Sequence, residues 1–129
     1  VVLPLLETDL LTAMRATAAA TLSEPAVRFR KGAACCVVMA SGGYPGPYET
    51  GFPIHIPGDL EGEVYVAGGK RKDGVLCTAG GRVLGVTATG DSLKAAVDKA
   101  YGLAARIRFD GAYYRSDIGR KALQAEGEG

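Results

Sequence analysis

The sequence predicts an α+β domain: a mostly antiparallel sheet flanked by helices. Three observations carry this. Two Ala-rich stretches with apolar residues at three- and four-residue spacing stand at opposite ends of the β-rich region. Short apolar runs of strand length lie between them, and glycine pairs punctuate those runs. At 129 residues the chain holds about one domain with a single modest core.

The elements follow in order. Thr8 is placed to cap a helix running to about residue 21, with Leu10, Leu11, Met14 and Ala18 on one side. Ser23, Glu24 and Pro25 end it, since a residue before proline is pushed out of the helical region. Residues 33–40 are a continuous small-apolar run that reads as a strand, stopped by the Gly/Pro-rich loop 41–47. Residues 50–62 are interrupted by Gly51, Pro53, Pro57 and Gly58 and read as an irregular connection. Residues 64–67 form a short strand. Runs 75–79 and 82–89 flank Gly80-Gly81, and two glycines between β-rich runs predict a tight hairpin, because such turns need positive φ.

Asp91 or Ser92 then caps a second helix whose apolar face is Leu93, Ala96, Val97, Ala100, Tyr101 and Ala104. Residues 107–109 and 112–114 are extended pieces around Asp110-Gly111. Ser116 is placed to cap a last helical turn through Leu123, and 124–129 reads as a frayed polar tail.

Composition narrows the function classes. The formal net charge is +1 and no long basic run occurs, which argues against a nucleic-acid partner. No apolar run approaches the ~20 residues of a membrane span, so no membrane partner is expected. The start, Val1-Val2-Leu3-Pro4, lacks the basic region of a signal peptide and the expected location is cytoplasmic. Cys35, Cys36 and Cys77 make no metal pattern, and an odd count fits a reducing compartment. Adjacent Cys35 and Cys36 point to opposite faces of a strand, so only one reaches a one-sided core.

No catalytic centre emerges from the residues. His55 is a lone loop histidine, and no G-x-S-x-G elbow is present. Gly68-Gly69-Lys70 lacks the earlier glycine and the following Ser or Thr of a phosphate-cradling loop. Asp59, Glu61 and Glu63 alternate in a turn-rich region and read as a solvated face rather than a metal site. What remains is an anion site. Arg82 follows Gly80-Gly81, and arginine's planar fork suits phosphate. The loop carrying Ser41, Gly42, Gly43 and Tyr44 follows a buried strand, a usual position for ligand contacts.

Three segments carry a resemblance. Residues 37–46, VVMASGGYPG, resemble the V-V-M-A-S-x-G-Y-P-G segment of the glycinamide ribonucleotide synthetases. Residues 78–88, TAGGRVLGVTA, are similar to their T-x-G-G-R-V-L-x-V-T-A. Residues 109–119, FDGAYYRSDIG, are similar to their closing F-x-G-x-x-Y-R-x-D-I-G. Departures stand at Pro47, where an aspartate is common, at Cys77, where valine is usual, and at residues 65–69, where the family often reads F-H-A-G-T. Residues 53–63 match poorly.

The resemblance implies the C-terminal lobe of an ATP-grasp-type ligase that joins glycine to 5-phosphoribosylamine in purine synthesis. ATP phosphorylates the glycine carboxylate, and the amine then attacks the acyl phosphate. It implies ATP and magnesium for the full-length enzyme and neither for this chain alone, which is expected to be inactive by itself. The R-F-G-D-P-E signature of the family would lie upstream of Val1. Residues 1–30 then read as the end of the ATP-grasp region, 31–123 as the substrate-binding lobe and 124–129 as the tail. Arg82 is expected to take the phosphate of phosphoribosylamine, with Gly80 and Gly81 admitting it and residues 41–46 lining the cleft. Implied partners are glycine, phosphoribosylamine and the N-terminal part of the same enzyme. The apolar residues 1–6 and the first helix would otherwise drive self-association. The competing readings are a free-standing non-catalytic module that binds a phosphorylated metabolite or a partner chain, and the matching lobe of another ATP-grasp ligase.

Overall fold

A computed structural model describes residues 1–23 and 26–127. Glu24 and Pro25, expected to end the first helix, and the last two residues of the expected tail lie outside them. The chain forms strands β1 (Ala33–Ser41), β2 (Glu63–Val66), β3 (Gly69–Lys72), β4 (Val75–Thr78), β5 (Arg82–Gly90) and β6 (Ala112–Tyr113). Helices α1 (Leu10–Ala18), α2 (Leu93–Ala104) and α3 (Arg120–Gly127) and a 3-10 turn at Leu3–Leu5 complete it. Four strands make an antiparallel sheet in the order β2-β5-β1-β6, and β3 and β4 form a separate two-stranded ribbon. The α+β expectation with a mostly antiparallel sheet holds.

Helix α2 covers one face of the sheet. Ser92, not Asp91, caps it, its side chain accepting from the Ala95 N–H at 3.2 Å. Its buried residues Ala96, Val97, Ala100, Leu103 and Ala104 include most of the face read from spacing. They pack on Cys35, Val37 and Met39 of β1 and on Leu84, Val86 and Ala88 of β5. Small residues let the two layers approach closely: a Cβ on Gly90 would lie 2.8 Å from the Ala96 nitrogen. Cys35 is buried and Cys36 half-buried, as strand alternation requires, and burial pushes the Cys35 thiol pKa up.

The hairpin expectation fails. Val75–Thr78 pairs with Gly69–Lys72, not with β5, and the tight turn is Asp73-Gly74, with φ of 49° and 83°. Positive φ at both central residues is the hairpin geometry that Asp-Gly favours. Gly80 and Gly81 join the ribbon to the main sheet without positive φ. Close packing explains them instead. A Cβ on Gly80 would meet the Gly68 Cα at 3.2 Å, and one on Gly81 would lie 2.1 Å from the Tyr44 ring.

Other boundaries move for local reasons. Asp9 caps α1, accepting from the Thr12 N–H at 2.8 Å. The Thr8 hydroxyl is engaged elsewhere, donating to the Ala26 carbonyl and accepting from the Arg28 N–H. The helix stops at Ala18 because Ala20 adopts φ 55°, letting Thr21 N–H bond Ala16 O and Ala20 N–H bond Thr17 O. Helix α3 starts at Arg120, beyond Ser116, and Gln124, read as part of a frayed tail, lies within it. The irregular stretch 50–62 is anchored by bridges Pro53↔Cys77 and His55↔Arg108 and by buried Ile54.

Met39 is fully buried between the central strands and α2. Met39→Ala is expected to lower unfolding free energy by about 2–5 kcal/mol, read by urea denaturation. A cost under about 1 kcal/mol would mean that the two layers do not pack as described.

Candidate functional site

The second face of the main sheet is not covered by α2, and the site lies there. Register decides what it presents. Val37↔Val86 and Met39↔Leu84 face the core, so Val38↔Gly85 face away. Strict alternation from Leu84 would turn Arg82 inward. Instead Ala40 pairs with Arg82, two steps of β5 opposing one of β1, and Val83 is the extra residue of a bulge. The bulge leaves Val83 and Leu84 both buried and aims Arg82 outward, where it is exposed.

Two open hollows flank Arg82. One, of about 630 Å³, is lined by Tyr44, Tyr65, Ala67, Gly68, Gly81 and Arg82 among others. The other, of about 570 Å³, adds Pro45, Tyr113, Tyr114, Arg115 and Ile118. Val38, Tyr44 and Arg82 belong to both. Neither lining holds a carboxylate, and Arg82 forms no ion pair among the described residues. A guanidinium with free donors over apolar walls, facing no acid, is suited to an anion.

The 41–47 loop builds the wall between the hollows. Buried Ser41 donates its backbone N–H to the Gly81 carbonyl at 2.8 Å and its hydroxyl to the Gly80 carbonyl at 2.9 Å. The Ser41 hydroxyl thus fixes the approach to Arg82. Gly42 packs on the Gly111 carbonyl, and Gly43, at φ 96°, turns the chain against Pro47. The Tyr44–Pro45 peptide is cis. The Tyr44 ring then lies on Gly81 and meets Tyr48 edge-on at 6.1 Å. The structure therefore gathers Ser41, Gly42, Gly43, Tyr44, Gly80, Gly81 and Arg82 into one place; of these, Tyr44, Gly81 and Arg82 line a hollow.

The rim at residues 115–118 was not assigned a role from sequence, although Arg115 and Asp117 lie two apart. The Arg115 Nε and one Nη donate to the two Asp117 oxygens at 2.8 and 2.7 Å, and Arg120 reaches the same carboxylate at 3.5 Å. The Arg115 hydrogen bond holds the Asp117 pKa down at about 2. The Tyr101 hydroxyl donates to the Arg115 carbonyl at 2.6 Å and accepts from the Ile118 N–H at 3.0 Å, tying this rim to α2.

The remaining polar groups stand apart. His55 is exposed and bridges to Arg108 through backbone alone, while Asp59 pairs with Arg106 at 2.6 Å. Glu61 and Glu63 are exposed. No three His, Cys, Asp or Glu residues come close enough to hold a metal ion among the described residues. Nor is any described helix long and apolar enough to cross a membrane.

Residues 34–121 match the family model described as phosphoribosylglycinamide synthetase, C domain. A phosphoribosylamine–glycine ligase of Chlorobaculum tepidum is 49% identical over 127 residues, 95% of this chain and 30% of that protein. One of Synechocystis is 45% identical over 126 residues, with the same coverage of each. The crystal structure of a phosphoribosylamine–glycine ligase from Thermotoga maritima superposes with a TM-score of 0.75 at 41% identity, covering 84% of this chain and 27% of that one. The chain thus spans about 30% of the length of the relatives it matches.

Two measurements probe this geometry. Gly81→Ala places a methyl on the Tyr44 ring and is expected to displace it, seen as loss of nuclear Overhauser contacts between Tyr44 and residue 81. An unmoved ring would refute the contact. For Asp117, a depressed folded pKa means that its stabilising contribution is complete above the ordinary 3.8 and is lost as pH falls toward about 2. Its carboxyl resonance should titrate near 2, and Arg115→Gln should return the midpoint toward the ordinary range. An ordinary midpoint in the unmutated chain would remove the ion pair from solution.

Proposed function

The chain belongs to the phosphoribosylglycinamide synthetase C-domain family, and from that premise we propose that it is the C-terminal portion of an ATP-dependent ligase joining glycine to 5-phosphoribosylamine, giving glycinamide ribonucleotide in purine biosynthesis. Identity of 49% over nearly the whole chain to a phosphoribosylamine–glycine ligase is the observation that carries this reading. We assign residues 1–30 to the end of the ATP-grasp region, 31–123 to the substrate-binding lobe and 124–129 to the tail. The protein works in the cytoplasm, a location supported by three free cysteines.

Within the reaction, this lobe binds and orients. Arg82 receives the phosphate of phosphoribosylamine, and Tyr44 and Gly81 shape the wall against which the sugar rests. Binding energy taken up at that remote phosphate holds the amine at the position where an acyl phosphate of glycine is presented. We assign ATP and magnesium to the part of the ligase outside this chain. That part also meets the exposed apolar residues Val1, Val2, Leu3, Leu10, Leu11 and Met14. Without it, the chain is inactive and self-associates through them.

The test joins this chain to the remaining part of the Chlorobaculum tepidum ligase. The chimera is expected to release ADP only with both glycine and phosphoribosylamine present. Arg82→Ala should raise KM for phosphoribosylamine about tenfold or more, leaving KM for ATP unchanged, since a charge-assisted contact is worth ~1.5–3 kcal/mol. A folded chimera that forms no product would sink the ligase assignment and leave a free-standing binding module. An active one indifferent to Arg82→Ala would move the phosphate elsewhere.

A further inference from the structure

We infer that Arg115 is a second cation of the anion site opened on Arg82, and that Asp117 is its positioning residue, so that the two guanidiniums grip one phosphate monoester between them. This rests on the phosphate assignment proposed for Arg82.

Both arginines line the same hollow of about 570 Å³, and no carboxylate is among its walls. Arg115 is held side-on, its Nε and one Nη bonded to Asp117, which leaves the other Nη without a partner among the described residues and free to donate. Arg115, Arg120 and Asp117 together make two cations against one anion, so the rim keeps a net positive charge. An exposed arginine ordinarily samples many rotamers, and fixing one costs conformational entropy when a ligand arrives. Here the carboxylate has fixed it beforehand. The backbone beneath is fixed too, because the Tyr101 hydroxyl bonds both the Arg115 carbonyl and the Ile118 N–H. Tyr114, tilted against Tyr101 at 6.0 Å, and Pro45 give the space apolar walls. Such walls strengthen a charge-assisted hydrogen bond by displacing water. A phosphate monoester dianion has three terminal oxygens, enough to accept from both guanidiniums at once.

The experiment is a titration of the 129-residue chain with ribose 5-phosphate, followed by the side-chain Nε–H resonances of Arg82 and Arg115. Both should move with one shared, saturable midpoint; free ribose should move neither, and inorganic phosphate should move both with weaker affinity. Arg115→Gln should weaken binding about tenfold, and Arg115→Lys should not restore it, because a lysine offers no fork. Asp117→Asn should weaken binding about threefold although it adds positive charge, because losing the fixed geometry outweighs the gain. Melting temperatures of the variants separate these effects from unfolding. If Asp117→Asn does not fold, Arg115→Gln and the wild-type Arg115 signal decide. Loss of binding in Arg82→Ala with unchanged affinity in Arg115→Gln would overturn this inference and leave the Arg82 assignment standing. No shift of either arginine would overturn both. Tighter binding by Asp117→Asn would show the carboxylate competing with the ligand and overturn its positioning role.

Discussion

The antiparallel pairing of β1 with β5, and the bulge within it, set the terms for the rest of the molecule. Because side chains alternate along a strand, the register Val37↔Val86 and Met39↔Leu84 assigns one face to α2 and the other to the hollows. A slip of β1 by one residue against β5 would bury Val38 and expose Met39. The extra residue at Val83 then breaks the alternation once, at the end of the strand where the chain enters from Gly81. That single irregularity turns a charged side chain out of the core. The same pairing that makes the core therefore also makes the hollows beside Arg82, and neither can be changed without the other.

Around this frame, contacts between segments distant in sequence hold the site to its shape. Ser41 spends both its backbone N–H and its hydroxyl on the carbonyls of Gly81 and Gly80. Tyr44 covers Gly81, and Gly80 lies on Gly68. The last two contacts need the absence of a Cβ, so Gly80 and Gly81 mark close approach rather than turns. The rim opposite is organised differently, by a carboxylate and a tyrosine hydroxyl that fix a short turn onto α2. The two sides of the site are thus held by different contacts, one by Ser41 and the glycines, the other by Asp117 and the Tyr101 hydroxyl of α2.

The first thirty residues have another character. Their two ends are tied to each other by the Leu6↔Phe29 bridge, by the Thr8 hydroxyl with Ala26 and Arg28, and by the Arg30 guanidinium on the Pro4 carbonyl. Their large apolar side chains Leu10, Leu11 and Met14 stay exposed. An amphipathic helix whose apolar stripe meets solvent has its stabilising surface elsewhere.

The sequence by itself determined the α+β class, the α2 face, the 33–40 strand, and the identity carried by residues 37–46, 78–88 and 109–119. These signals are local: a period of 3.6, a serine before an apolar run, a contiguous motif. It also brought Arg82 and the 41–44 loop forward together. Only the tertiary structure decided that Val75–Thr78 turns back at Asp73-Gly74 to pair with Gly69–Lys72. It alone decided that Gly81 serves the Tyr44 ring, and that Arg115 comes to the same hollow as Arg82 from 33 positions away. Which strand pairs with which, and in what register, depends on contacts between residues far apart in the chain. No periodicity within a short window contains that information.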